Sequence, residues 1–311
     1  MRPLPSTILL ALLFSSGTAW ACSCPFVSYW GFVGPETGRM PANAHGVIWF
    51  IPRTEIVRAG GRFVSRPVSA KRLDEFTSNL RVEVLVNGKY SRLPTGVVEY
   101  KPPEDWSSWG RLFLIRPVGG FDPGSTYRFT DRNRGRWKHW PYPVYEQAAL
   151  QQVTFTVDEE ELAAQDVALE VSSPGTDSFW IATGASCLRK ADVMNVRASV
   201  ELPVPEWRGS LLYATWVDGK RWRGASSICS RIVPGRSWKH GQAGTDTIYA
   251  DCASHPERLV EDGIDPYHLW ERGMLANSKH TLKVQAFLPG TDVMFESEPV
   301  PFDLSCAPRE D

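Results

Sequence analysis

Between Arg132 and Tyr145 the chain reads Arg-Asn-Arg-Gly-Arg-Trp-Lys-His-Trp-Pro-Tyr-Pro-Val-Tyr, which gathers cations and large aromatic rings into one proline-bearing stretch. Such rings stack on sugar faces or receive partner side chains, and the guanidiniums beside them hydrogen-bond to anionic groups. Arg134, Arg136, Trp137, Trp140, Tyr142 and Tyr145 are therefore the candidate ligand-binding residues, with a glycan or an envelope protein as the partner chemistry. The competing reading is that Trp137, Trp140 and Tyr145 fold back over the end of a sheet and leave the basic groups solvated. Trp106 and Trp109, framed by Glu104-Asp105 and Gly110, form a second and smaller aromatic cluster.

Residues for covalent chemistry are sparse. Gly184-Ala-Ser186 and Gly235-Arg-Ser237 both lack the closing glycine of a nucleophile elbow. Ser237, His240 and Asp246 are close enough in sequence to draw as a triad, but triads are defined by geometry. His45, His139, His240, His255, His268 and His280 have no second histidine at i+3 or i+4, and there is no C-x-x-C. No metal site and no cofactor is implied. The balance favours a non-catalytic binding or structural protein over an enzyme; the rival is a secreted hydrolase with its site at a domain interface.

These residues need a scaffold, and the composition describes one. Thirteen Trp, nine Tyr and fourteen Phe alongside 24 Pro and 25 Gly point to short apolar strands punctuated by turns. Arg81–Val86, the turn Asn87-Gly88 and Lys89–Leu93 form a hairpin, because Asn-Gly supplies the two positive-φ positions of a type I′ turn. Leu211–Val217, Asp218-Gly219 and Lys220–Arg223 repeat the device, and Leu282–Leu288 returns through Pro289–Asp292 into Val293–Glu296. Further strands are expected at Val47–Ile51, Val97–Tyr100, Arg111–Ile115 and Val153–Val157. Helix is expected to be minor, at Glu159–Gln165, from the Ser254–Glu257 capping box, and between Asp265 and Gly273. The expected fold class is all-β, with two antiparallel β-sandwich domains at 22–157 and 166–306 and a tail at 307–311. The acidic run Asp158–Glu161 opens a linker over 158–165 and reads as a solvated connector.

The compartment is read from the N-terminus. Arg2, the apolar run Ile8–Phe14, the break Ser15–Thr18 and Ala19-Trp-Ala21 follow the order of a secretory signal peptide over residues 1–21. An apolar core of about seven residues is far short of the roughly 20 needed to span a bilayer, and no later stretch supplies a transmembrane segment. The expected location is secreted or periplasmic, the alternative being a lipid anchor on Cys22. With 34 basic and 35 acidic side chains, no global field draws in nucleic acid.

Six cysteines in an exported chain read first as disulfides. Among Cys187, Cys229, Cys252 and Cys306, three pairings are open, and the favoured one joins Cys229 to Cys252 and Cys187 to Cys306. Cys22 and Cys24 are left for an N-terminal disulfide or for modification.

Three stretches carry a resemblance. Pro41-Ala-Asn-Ala-His-Gly-Val47 is similar to the P-x-N-x-x-x-V opening of bacterial Ig-like, fibronectin III-like modules of secreted and surface-layer proteins. Phe121-Asp-Pro-Gly-Ser-Thr-Tyr127 and Val153-Thr-Phe-Thr-Val157 resemble their closing strands, with Asp131–Leu150 inserted before the last one. The resemblance covers about residues 40–157 and extends loosely over 166–306. What it implies is architecture, and function has to come from a site.

Overall fold

Strands that alternate apolar and polar residues bury one face, whereas continuous apolar strands bury both, and this chain contains each kind. The computed structural model describes residues 31–35, 37–52, 54–59, 62–101, 110–133, 151–182, 188–222, 244–253 and 275–306. The first half runs β1 (Gly31–Phe32), β2 (Thr37–Met40), β3 (Val47–Pro52), β4 (Thr54–Ala59), β5 (Arg62–Pro67), helix α1 (Ala70–Ser78), β6 (Leu80–Val86), β7 (Lys89–Leu93), β8 (Thr95–Tyr100), β9 (Gly110–Pro117), β10 (Thr126–Asp131) and β11 (Gln152–Val157). A 3-10 turn at Ala164–Asp166 leads to β12 (Ala168–Val171), β13 (Gly175–Ala182) and β14 (Leu188–Glu201). After a 3-10 helix at Pro205–Ser210 come β15 (Leu212–Val217), β16 (Lys220–Arg221), β17 (Thr245–Asp251), β18 (Lys279–Phe287), β19 (Met294–Glu296) and β20 (Val300–Asp303).

The all-β class expected from composition holds. The first half has two sheets, ordered β1-β3-β9-β8 and β2-β11-β10-β6-β7, with β4-β5 as a separate ribbon. The second half has β12 and β13 on one side of β14 with β17 on the other, facing a sheet built on β16-β15-β18 with β19 and β20. Among the described residues all the pairings are antiparallel except the edge pair β2 with β11. Both two-residue turns take the expected backbone, with φ of 50° and 77° at Asn87-Gly88 and 49° and 72° at Asp218-Gly219. The third hairpin forms as β18 and β19.

Alternation fixes the first core. Val82, Tyr127, Phe129, Val153, Phe155 and Val157 point inward from one sheet and meet Val47, Trp49, Ile51, Phe113 and Ile115 from the other. Phe129 and Phe155 stack with centroids 5.5 Å apart, and Phe121 meets Phe155 edge-on at 5.7 Å. Offset and edge-on contacts of this kind add about 0.5 to 1.5 kcal/mol each beyond burial.

The continuous apolar strands β3 and β9 serve a second purpose. Their other face presents Ile48, Leu112 and Leu114, which join Val33 and pack against Leu212, Ala214 and Phe287 of β15 and β18. The sheet β1-β3-β9-β8 is thus covered on both faces, once within its own half and once by the other half. The join is tight elsewhere too: a Cβ added to Gly34 would lie 2.3 Å from the Gly209 carbonyl oxygen.

Three expectations change. Asp158 is not part of a solvated run: it is 8 % exposed, accepts from Arg39 Nε at 2.7 Å and from Trp207 Nε1 at 2.6 Å, and so bridges the halves. Glu159, Glu160 and Glu161 do face solvent, but the segment is strapped to the first half by Asn43, whose amide exchanges hydrogen bonds with the Leu162 backbone. Helix at Glu159–Gln165 shrinks to the three-residue turn Ala164–Asp166, while α1 forms where none was expected, capped by Ser69 and burying Phe76. The bridge found is Cys252–Cys306, with Cα atoms 5.6 Å apart, in place of Cys229–Cys252 and Cys187–Cys306. Proximity in sequence favoured the shorter loop; the fold instead brings the end of β17 beside the end of β20. By loop entropy a bridge spanning 54 residues stabilises by about 4 kcal/mol. The expected helices at Ser254–Glu257 and Asp265–Gly273 lie outside the described residues.

Removing the Asp158 carboxylate leaves a buried indole N–H without an acceptor, so Asp158→Ala should cost about 1 to 3 kcal/mol in urea unfolding. Trp207→Phe should cost less, and the double variant should show a coupling of at least about 0.5 kcal/mol. Strictly additive losses would mean that the bridge does not couple the halves.

Candidate functional site

The segment carrying Arg134, Arg136, Trp137, Trp140, Tyr142 and Tyr145 lies outside the described residues, as do Trp106 and Trp109. What holds its two ends is described. Strands β10 and β11 form a ladder down to Thr130 opposite Gln152, and the Asp131 N–H donates to the Gln151 carbonyl at 2.7 Å. The chain therefore leaves and returns at one point on the sheet.

That point is locked by a polar network. Asp131 is 5 % exposed; its Oδ2 accepts from Trp49 Nε1 at 2.9 Å, and its Oδ1 accepts from the Asn133 backbone N–H at 2.8 Å and from Asn133 Nδ2 at 2.7 Å. Asn133 Nδ2 also donates to the Phe76 carbonyl, Asn133 Oδ1 accepts from Asn79, and the Arg132 N–H donates to the Asn79 carbonyl. Burial raises the Asp131 carboxyl above its ordinary range, against the lowering effect of the Trp49 and Asn133 hydrogen bonds. The network ties β3, the end of α1 and the end of β10 together at the base of the segment. Sequence reasoning missed Trp49, Asn79, Asp131 and Asn133 in this role. The available signal was that a tryptophan in a core strand needs an acceptor for its indole N–H.

Of the drawn triad, Ser237 and His240 lie outside the described residues, as does Ser186. Asp246 sits on β17 with its carboxyl enclosed, although the residue as a whole keeps some exposed surface. It accepts from the Thr247 N–H at 2.9 Å and from the Thr215 hydroxyl. Burial outweighs both and pushes its pKa up to about 6.

A Ser-His-Asp line-up does occur elsewhere. His280 Nδ1 lies 2.7 Å from Asp218 Oδ2, and Ser278 Oγ lies 3.4 Å from His280 Nε2. But Nε2 is 2.9 Å from the Ala276 carbonyl oxygen, a better partner than the serine. Both ring nitrogens face groups that only accept, so neither is placed to take the Ser278 proton. The cluster is a clamp instead. Burial would raise the Asp218 carboxyl, but the hydrogen bonds from His280 and Thr281 outweigh it and hold the group below its usual range, which pins the Asp218-Gly219 turn to β18.

Cys22, Cys24, Cys187 and Cys229 lie outside the described residues. Among the described residues no group of three or more His, Cys, Asp or Glu side chains converges as a metal site.

Two outcomes test these assignments. Asp246 has a folded pKa above its unfolded one, so its contribution is present below about pH 4 and is lost as pH rises through about 6. Asp246→Asn should therefore gain on wild type by about 2 to 3 kcal/mol between pH 4 and pH 8 in chemical denaturation; parallel curves would contradict the burial of this carboxyl. Ser278, without a base, should stay unlabelled by a fluorophosphonate probe, and mass-mapped labelling at that residue would overturn the clamp reading. No protein-family model matches the chain and no curated protein matches it, so function has to be read from the side chains above.

Proposed function

We propose that the chain is an exported, non-catalytic binding or structural protein of the cell envelope or exterior. It is secreted or periplasmic, or else anchored through Cys22, and is built from two Ig-like β-sandwich domains that meet near 158–165. Its partner is a glycan or an envelope protein, met through residues 134–145.

The Ig-like part is supported by strand order. The first half's sheets read as A-B-E-D and as G-F-C-C′ with β2 added beside G. Tyr127, at the start of the strand in the F position, accepts from the Asp122 backbone N–H at 2.9 Å, as in a tyrosine corner. The observation that carries the functional part is the Asp131 network. A buried, hydrogen-bonded base under the aromatic and basic segment is what a scaffold needs to present a binding loop. A hydrolase at the domain interface has less support, because the described contacts there are the apolar Ile48, Leu112, Leu114, Leu212 and Phe287 and the Asp158 carboxylate, whose two oxygens are taken by Arg39 and Trp207.

Trp137→Ala combined with Trp140→Ala should abolish retention on insoluble peptidoglycan or chitin while leaving the melting temperature nearly unchanged. A large fall in melting temperature with retention untouched would assign the rings to the core.

A further inference from the structure

The outer face of the sheet β2-β11-β10-β6-β7 differs from that of its companion. Its strands alternate, with Val82, Phe129 and Val153 inward, so Arg81, Glu83, Arg128, Thr130, Gln152 and Thr154 point away from the core. The register places Arg92, Glu83, Arg128 and Thr154 in one row across β7, β6, β10 and β11. The next row is Arg81, Thr130 and Gln152. Arg132 follows two residues beyond Thr130 and is exposed.

Across β7, β6 and β10 four arginines thus share this face with one glutamate, in a chain whose net charge is −1, while Arg39 on β2 is already paired with Asp158. The glutamate is already spent, since Glu83 accepts from Arg128 Nε at 2.9 Å and Arg128 lies over the Tyr90 ring at 3.8 Å. Among the described residues, Arg81, Arg92 and Arg132 have no carboxylate within ion-pair distance. The register sets Arg81 one row from Arg92 on one side and one row from Arg132 on the other, and desolvation, then repulsion from Arg132 and Arg92, lowers the Arg81 pKa. Adjacent strands lie about 4.8 Å apart and alternate residues about 7 Å apart, which is the scale of successive charged groups on a short stretch of polymer.

We propose that this face binds an anionic polysaccharide, with Arg81, Arg92 and Arg132 taking its carboxylate or sulfate groups and Thr130, Thr154 and Gln152 facing its hydroxyls. Guanidiniums suit planar bidentate pairing with such anions. Single-stranded nucleic acid fits less well, because base stacking needs a free ring and Tyr90 is covered by Arg128. The binding inferred here does not depend on residues 134–145.

The test measures binding to heparin, polygalacturonate, neutral dextran and oligo(dT) at low salt, with thermal melting of every variant. Wild type should bind heparin or polygalacturonate, and not dextran, with affinity falling as salt rises. The triple change Arg81→Gln, Arg92→Gln, Arg132→Gln should weaken binding by about tenfold or more. Arg92→Gln alone, at an exposed edge position, should weaken it by a smaller factor and guards against misfolding of the triple variant. Arg111→Gln, whose arginine pairs with Glu99 on the other sheet, should bind as wild type. Unchanged binding by the triple variant, no binding to either polyanion, or tighter binding to oligo(dT) would each overturn the inference. If Trp137→Ala with Trp140→Ala loses heparin while the triple variant keeps it, the face is not the site and the loop reading stands alone.

Discussion

Asp158 turns two sandwiches into one object. One carboxylate oxygen takes a half-exposed guanidinium from β2, and the other takes a buried indole from the 3-10 helix Pro205–Ser210. A carboxylate buried without donors would be costly, and this one is supplied from both sides of the join. Its position matters as much as its partners. It follows the last strand of the first half directly, so the chain has no slack between the end of β11 and the contact. The apolar join of β3 and β9 with β15 and β18 then forms beside a fixed point, and no long flexible connector has to be ordered first.

That join decides which surfaces remain for partners. The face of β3 and β9 that carries Ile48, Leu112 and Leu114 is used up in holding the halves together. The corresponding face of β6, β10 and β11 carries Arg81, Arg128, Thr130 and Thr154, which would be costly to bury without anionic partners. One sheet of the first half has therefore become structural on both sides, while the other keeps a polar side. Asp246 and the Asp218–His280 pair belong to the structural class as well, because their hydrogen bonds are spent on β15, β17 and β18. Ser278 shows how a catalytic-looking trio is disarmed by a single backbone carbonyl.

Much of this was legible in the sequence where the signal is local. Asn87-Gly88 and Asp218-Gly219 give their turns because positive φ is a property of two residues. The difference between Val47-Ile-Trp-Phe-Ile51 and Arg81-Val-Glu-Val also encodes which sheet is covered twice, since a strand buried on both faces loses its alternation. Helix α1 had a readable cap at Ser69 and an i, i+3 pair in Leu73 and Phe76, obscured by its length of nine residues. The Cys252–Cys306 pairing was not legible, because it depends on which strand ends the tertiary fold brings together. Nor was Asp158, which looks like its three neighbours and differs from them only in what lies across the join.

The candidate site divides along the same line. Its ring-forming and basic residues stand out by composition, but the network under them is assembled from Trp49, Asn79, Asp131 and Asn133, which are distant in sequence. The basic face escapes a count of charges altogether, because 34 cations and 35 anions cancel in sum while strand phase sorts them in space. At the end of β10 the two features meet in three consecutive residues. Asp131 and Asn133 are buried and lock the base, while Arg132 between them is exposed beyond the row of Arg81 and Thr130. The alternation that hides one carboxylate is thus the same one that sets an arginine outside, and that arginine, Arg132, is also the first residue of the basic and aromatic stretch.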